Sequence, residues 1–339
     1  MTPTTNPTPN PATTEAGTLG RLRTEILARQ RFLITSHAKP DGDSIGSQVA
    51  LADALVSLGK QARIVNCDPP QPSLLPFPGV DRITVASRVD EAFDAVIVVE
   101  CPDLARTGVA GLESGFLINI DHHPGNALYG AVNWFDQRAA ACAEMVFDLI
   151  GALGAPLTPE IATNLYVAIL TDTGSFHYSS LSPRTFDICR QLLEAGANPV
   201  WVARTVFDDN SAGRIRLFGA VLSAMEVDRS GRLATLLMTR GMERATGGRF
   251  EDTEGLVNVP LTVKEIQAVV MFKEAEAGAW RVSFRSKGAV DVGEVAKRFG
   301  GGGHKNAAGC TVPGDLPSVR AQVEPLAVEA IDRAAEASW

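Results

Sequence analysis

The chain has 339 residues, 45% of them hydrophobic, with 39 acidic against 31 basic side chains and a formal net charge of −8. That length and apolar content exclude disorder as a whole-chain description and lead to an expectation of two domains. The acidic balance excludes long duplex nucleic acid as a charge-driven partner, because such binding rests on many Lys and Arg contacts to phosphate, but it leaves room for a short anionic ligand at one site.

Residues 1–18 are dominated by Thr, Pro and Asn and read as a disordered tail, without the basic start and apolar stretch of a secretory signal. Short β-branched runs then recur between polar turns: Phe32 to Thr35, Ala62 to Val65, Ala95 to Val99 and Phe116 to Ile120. Such runs suit strands buried on both faces, as a parallel sheet requires. Between the first two, Ile45, Val49, Ala52, Leu55 and Val56 form one stripe of a helix that Gly59 stops. Thr158 and Pro159 open a second helix that ends near Asp172. Residues 19–195 are therefore expected to form an α/β domain with a mostly parallel, Rossmann-like sheet.

From Ser182 to Met225 the pattern is helical, and 196–222 is taken as a helical linker. Residues 223–339 read as a smaller α+β domain. Its strands are Leu233 to Met238, Ile266 to Phe272 and Trp280 to Phe284, followed by a short helix through Val292 and Phe299. A last helix starts near Ser318, and Pro325 inside it should kink or break it. The longest apolar runs fall far short of the ~20 residues of a membrane span, so no membrane partner is expected. Five cysteines in no C-x-x-C spacing suit a reducing, cytoplasmic location.

Four of the five histidines sit in three short polar clusters that follow apolar runs. The first cluster, from Ser36 to Ser47, brings His37, Asp41 and Asp43 to the mouth of the first helix, where ligands collect in open α/β sheets. These three can converge on a cation; alternatively, Asp43 or Ser44 simply caps the helix. The second cluster is Asp121-His122-His123. Adjacent histidines on extended backbone point in different directions, so one can ligate metal while the other faces substrate, with Asp121 orienting a ring. Glu100 ends the Ala95 to Val99 strand, with Asp103 three residues beyond it, and Asp172 ends the second helix. Carboxylates mixed with imidazoles suit Mn²⁺ or Mg²⁺, and the imidazoles tilt the choice to Mn²⁺. The third cluster, Gly300-Gly301-Gly302-Gly303-His304-Lys305, reads as a phosphate cradle of backbone amides or as a flexible hinge. It closes a segment from Arg281 to Lys305 with six basic against two acidic residues, in which Arg285 can fork onto a phosphate.

In this order, the clusters resemble the DHH phosphoesterase superfamily, in the branch that joins a DHH domain to a C-terminal DHHA1 domain and includes the NrnA-type oligoribonucleases and 3′-phosphoadenosine 5′-phosphate (pAp) phosphatases. The motifs are Asp121-His122-His123, His37 through Ser47, and Gly301 through His304. The resemblance implies two divalent ions, with His37 and Asp41 on one and Asp43, His122 and Asp172 on the other. It also implies a bridging carboxylate between them, usually Asp but here Glu100, with Asp103 as the fallback ligand. It implies hydrolysis of short single-stranded RNA, dinucleotides or pAp by hydroxide generated at the two metals, with His123 and Asp121 in the catalytic step. Arg285, Ser286, Gly302, Gly303 and His304 would bind substrate, and a homodimer is compatible with the family. Two other readings stay open: a soluble phosphodiesterase for cyclic or linear dinucleotides, and a non-catalytic module that binds short RNA or nucleotides.

Overall fold

The computed structural model describes residues 11–177, 181–208, 210–253, 255–275 and 278–336. The chain separates into two units, Met1–Asp209 and Asn210–Trp339. The boundary falls within the segment expected as the linker. That segment contains the helix Pro199–Phe207 and most of the helix Ala212–Ser223, and Pro11 to Thr18, expected as tail, begins the first helix.

The first unit contains α1 (Pro11–Leu27), β1 (Arg31–Thr35), α2 (Gly42–Ser57), β2 (Gln61–Asn66), β3 (Thr84–Val85), β4 (Ala95–Val99), β5 (Phe116–Asp121), β6 (Val132–Phe135), α3 (Cys142–Leu153), α4 (Pro159–Asp172), α5 (Pro183–Glu194) and α6 (Pro199–Phe207). The strands form one sheet in the order β3-β2-β1-β4-β5-β6, with every ladder parallel. All five residues of β4 are buried, as a central strand covered on both faces must be. On one face Phe32, Ile34, Ile97 and Ile118 pack against the apolar sides of α2, α3 and α4. On the other, Leu33, Val65, Val96 and Val98 meet Leu112 and Val109 from irregular segments. Strand order reverses between β1 and β4, and the crevice outside the carboxyl ends at such a reversal is where open α/β sheets bind ligands.

Helices α2 and α4 approach closely because α2 presents glycine twice, four residues apart. A Cβ on Gly46 would stand 2.3 Å from the Asn164 carbonyl oxygen, and one on Gly42 would stand 2.2 Å from Thr171 Oγ1. This contact brings the start of α2 to the end of α4. Asp41 is the residue that caps α2: its Oδ1 accepts the Ser44 N–H at 2.9 Å. The expectation of Asp43 or Ser44 as the cap is thereby corrected, since the helix starts one turn earlier than its apolar stripe.

The second unit contains α7 (Ala212–Ser223), β7 (Glu226–Val227), β8 (Leu233–Met238), α8 (Arg240–Thr246), β9 (Ala268–Glu274), β10 (Ala279–Ser286), α9 (Gly293–Lys297), β11 (Gly302–His304), β12 (Ala307–Pro313) and α10 (Leu316–Glu336). Its sheet, in the order β11-β12-β10-β9-β8-β7, is mixed, with β8 and β9 parallel and the remaining pairs antiparallel. Phe272, Trp280, Val282 and Phe284 pack under α9 and α10. Leu236, Val269 and Met271 pack on the opposite face against Leu217, Phe250 and Leu256. Helix α10 runs unbroken through Pro325. Pro325 and Ala321 are both exposed, so the carbonyl that loses its N–H partner lies on the solvent side.

Candidate metal centre

Strands β1, β4 and β5 end side by side, and each releases a polar cluster at the sheet's carboxyl edge. His37 follows β1, Glu100 follows β4, and Asp121 ends β5 with His122 and His123 directly after it. Asp43 joins them from the first turn of α2 and Asp172 from the last residue of α4.

Glu100 lies at the centre. It is fully buried, its backbone is left-handed at φ 55°, and its Oε1 stands 3.3 Å from His122 Nε2 and 3.4 Å from His123 Nδ1. Its Oε2 has no hydrogen-bond partner among the described residues. Burial first, then the Asp43 charge, pushes its pKa well above the ordinary carboxylate range. Asp172 is pushed up to about 7, again by burial and then by Asp43. Burial works against a charged His122, yet the carboxylates of Glu100, Asp43 and Asp172 together raise it to about 11. A buried group of carboxylates this close holds protons unless a cation replaces them.

The ring orientations are fixed from behind. His122 Nδ1 donates to the Ala139 carbonyl at 3.0 Å, so Nε2 is the nitrogen that faces Glu100, Asp172 (3.5 Å) and Asp43 (3.9 Å) and that would turn a lone pair to a cation bound among them. Metal-ligating histidines are held by such a hydrogen bond on the second ring nitrogen. His37 Nδ1 donates to the Ala38 carbonyl at 2.8 Å, and its Nε2 accepts the Ser44 hydroxyl at 2.9 Å with Asp41 Oδ2 at 3.7 Å. Asp43 accepts the Cys142 and Ala143 backbone N–H groups at 2.6 and 3.0 Å and the Ser47 hydroxyl at 2.9 Å. Asp43 therefore caps α3 from a different helix, at a position where Ala141 offers no side-chain acceptor.

Three donor sets have ligand atoms within 4.8 Å of one another: His37, Asp41 and Glu100; Asp43, Glu100, His122 and Asp172; and Glu100, His122 and His123. Glu100 belongs to all three. Oxygen-rich, acidic and partly imidazole in character, the donors fit divalent cations, and the orphaned Glu100 Oε2 is an acceptor that a cation would satisfy. Asp103 is no ligand here: it is exposed, and its Oδ1 caps the short turn Leu104–Thr107 by accepting the Ala105 N–H at 2.9 Å.

His123 is turned differently. Its Nδ1 donates to Asp121 Oδ1 at 2.9 Å, so Nε2 is the nitrogen left for another partner. Behind Asp121 stands Asn126, which donates to Asp121 Oδ2 at 2.6 Å and to Asn119 Oδ1 at 2.8 Å. Asn119 in turn donates to Tyr129 Oη at 2.9 Å, and Tyr129 donates to the Cys101 carbonyl at 2.8 Å. This chain ties the end of β5 to the residue after Glu100. Sequence reasoning did not single out Asn126, Asn119 or Tyr129; Asn126, three residues after His123 in a loop, was the available signal.

In the second unit, the glycine run is not a loop of free amides. Gly300 and Gly301 donate to the Lys297 and Ala296 carbonyls, while Gly302–His304 is strand β11, paired with Ala307 to Gly309. The run expected as a cradle or hinge forms a hairpin edge, made possible by residues that cannot carry a Cβ: one on Gly303, at φ 141°, would lie 2.4 Å from the Ala307 carbonyl oxygen. Gly302 and Gly303 are exposed, and the His304 side chain lies outside the described residues. Arg285 is half-buried on β10 and donates to the Phe284 carbonyl at 2.9 Å. The Ser286 hydroxyl donates to the Val290 carbonyl at 2.7 Å and accepts from Asn306 at 2.9 Å, so it serves to close the hairpin base.

Residues 31–169 match the model of the DHH family, N-terminal domain, and residues 244–337 match the DHHA1 domain. Among curated proteins, the chain is 35% identical over 319 residues to the bifunctional oligoribonuclease and PAP phosphatase NrnA of Thermus thermophilus, covering 93% of this chain and 95% of that protein. It is 26% identical to the protein of the same name in Bacillus subtilis, over 83% of this chain and 89% of that one. Among solved structures, an exopolyphosphatase-related protein from Bacteroides fragilis superposes with a TM-score of 0.84 at 27% identity, covering 95% of this chain and 96% of that one.

Proposed function

The chain belongs to the DHH family with a C-terminal DHHA1 domain, and we propose on that premise that it hydrolyses short oligonucleotides to nucleoside 5′-monophosphates and removes a phosphate from pAp. It is a phosphoester hydrolase. The observation that carries the reading is the position of Glu100, buried and shared by every donor set. Further support comes from relatives named for the same two activities over nearly their whole length.

His37 and Asp41 would hold one divalent cation, Asp43, His122 and Asp172 a second, and Glu100 both. Manganese is favoured over magnesium because imidazoles stand among the carboxylates. Bound there, the cations supply an acidified water for attack and neutralise charge on the transferring phosphoryl group. The chain's own part begins with His123. Its free Nε2 hydrogen-bonds the scissile phosphate and delivers a proton to the leaving oxygen, while Asp121 holds the Nδ1–H and stabilises the imidazolium. Asp121 is suited to this: burial opposes its charge, but His123 and Asn126 together keep its pKa below the usual carboxylate value. Arg285, Gly302, Gly303 and His304 are the candidate contacts to the rest of the substrate.

The test is release of nucleoside 5′-monophosphate from 5′-labelled RNAs of two to about twenty-four nucleotides, with pAp in parallel, in Mn²⁺, Mg²⁺ and chelator. Metal-dependent turnover that falls with length is the expected result. Binding without turnover in any metal would overturn it in favour of a non-catalytic module. Cleavage confined to cyclic dinucleotides would reassign the substrate.

A further inference from the structure

The turn Leu104–Thr107, which follows Glu100 and Asp103, is built to hold one position. Asp103 caps its start, the Thr107 hydroxyl donates to the Leu104 carbonyl at 2.8 Å, and Gly108, at φ 65°, ends it. A Cβ on Gly108 would stand 2.7 Å from Cys67 Sγ, so glycine is what lets the turn pack against the residue after β2. The Arg106 carbonyl accepts the Ala38 N–H at 2.7 Å. Ala38 directly follows His37, so the turn is fastened to the loop that carries the first candidate ligand. Strand order reverses between β1 and β4, and Arg106 therefore stands at the crevice where a sheet of this kind takes its ligand.

The Arg106 side chain is exposed, and among the described residues its guanidinium meets no carboxylate and donates no hydrogen bond. Arg138, which follows β6, is by contrast held by both oxygens of Asp136, at 2.9 and 3.1 Å. The Arg106 charge nevertheless reaches inward. Burial and Asp41 dominate the pKa of His37, and burial that of Cys101, but Arg106 acts on both and favours the deprotonated form of each. The His37 ring in turn stands edge-on to that of His123, with centroids 6.4 Å apart. A phosphate ester brought to this mouth meets the carboxylates of Asp41, Asp43, Glu100, Asp121 and Asp172. A guanidinium without a partner is suited to offset that charge, because its planar fork donates two parallel hydrogen bonds to phosphate oxygens.

We propose that Arg106 is a further substrate-binding residue of this centre, its guanidinium forking onto non-bridging oxygens of the scissile phosphate whose leaving oxygen faces His123 Nε2. This role deepens the hydrolase reading and rests on it. The turn Leu104–Thr107 fixes the backbone from which the fork reaches, and the substrate supplies the anion that the described side chains do not.

The full chain is compared with Arg106→Gln and Arg106→Lys in Mn²⁺, on two dinucleotides that differ only in carrying a 5′-phosphate or a 5′-hydroxyl. Arg106→Gln should lower kcat/KM by roughly 100-fold on both, since both present the scissile phosphate, and Arg106→Lys should recover only part of the loss. Binding of adenosine 5′-monophosphate in Mn²⁺, a product whose phosphate was the scissile one, is followed by calorimetry and should weaken at least about tenfold in Arg106→Gln. Both variants keep the carbonyl that binds Ala38, so their melting temperatures in chelator should stay close to the wild-type value, which separates lost binding from lost folding. A loss confined to the 5′-phosphorylated dinucleotide would place Arg106 on a different phosphate and overturn the proposal. Wild-type rates in Arg106→Gln would overturn it too, as would full activity in Arg106→Lys beside a loss in Arg106→Gln, which shows a charge acting without a fork. If the wild type hydrolyses neither dinucleotide, the proposed activity fails and the nucleotide titration decides alone. Binding that depends on Arg106 then keeps the contact, and binding that Arg106→Gln leaves intact, or no binding, removes it.

Discussion

Asp43 accepts the Cys142 backbone N–H at 2.6 Å, so one carboxylate both caps helix α3 and faces the metal centre. The two roles separate by substitution. Asp43→Ala should lose the cap, at a cost of about 1 kcal/mol in denaturant unfolding, together with hydrolysis. Asp43→Asn keeps an acceptor oxygen for the helix and removes the charge from the carboxylate group. With one of the two acceptor oxygens kept, it should lose less stability in chelator than Asp43→Ala while its metal-dependent rate falls by roughly 100-fold or more. Wild-type hydrolysis in Asp43→Asn would show that Asp43 is no ligand.

Glu100 has one methylene more than Asp. Glu100→Asp should retain measurable metal-dependent turnover if a carboxylate at this position bridges, and Glu100→Gln should abolish it. Glu100→Gln also replaces a carboxyl group whose ionisation burial opposes with a neutral group of the same size, so its melting temperature in chelator should rise at neutral pH. The two readouts move in opposite directions, which a simple folding defect cannot produce.

The metal-free protein should lose stability as pH rises. Asp172 is raised from 3.8 to about 7 and His122 from 6.5 to about 11, so the folded state binds more protons than the unfolded chain from about pH 4 up to about pH 11. Stability falls with pH wherever the folded state holds the extra protons. Asp41, lowered to about 2, acts oppositely only below about pH 4. Thermal melts in chelator from pH 5 to 8 should therefore shift steadily downward. Manganese should raise the melting temperature, and more so at pH 8 than at pH 5, because binding it displaces those protons. A flat profile in chelator would contradict the clustering.

Asn126 positions Asp121, which holds His123. Asn126→Ala should lower kcat by about tenfold, in the range of lost support behind a reacting group, with little change in KM. It should also shift the acidic limb of the pH–rate profile, since Asp121 loses a donor that stabilises its charge. Asn126→Gln serves as the conservative control. A change in KM alone would make Asn126 a substrate contact.

The parts of this architecture that recur along the chain were legible before folding. The apolar runs of β1, β2, β4 and β5 declared a buried parallel sheet, and a polar residue directly after each run could only emerge at its carboxyl edge. That is why His37, Glu100, Asp121 and His122 were found together. Asp172 was placed by the end of its helix. What escaped is what depends on partners remote in sequence. The cap that Asp43 provides to α3, 99 residues away, leaves no local pattern. Nor do the hydrogen bonds among Asn119, Asn126 and Tyr129. The strand within the glycine run was not legible because a strand without side chains looks like a loop until its partner, Ala307 to Gly309, is known.

The backbone at Glu100 sits at φ 55°, a region that Asn, Asp and especially Gly enter more easily than Glu. The residue is thus held against both its torsional preference and its charge. A laboratory selection for heat resistance, run without divalent cations, would reward change here, because asparagine at 100 relieves the torsion and removes a carboxyl group whose ionisation burial opposes. On the metal-bridging role proposed for Glu100, the survivors would be sturdier proteins that no longer hydrolyse phosphoesters. Selection for stability in this scaffold therefore has to be run with the metal present, or it will work against the residue on which the centre depends.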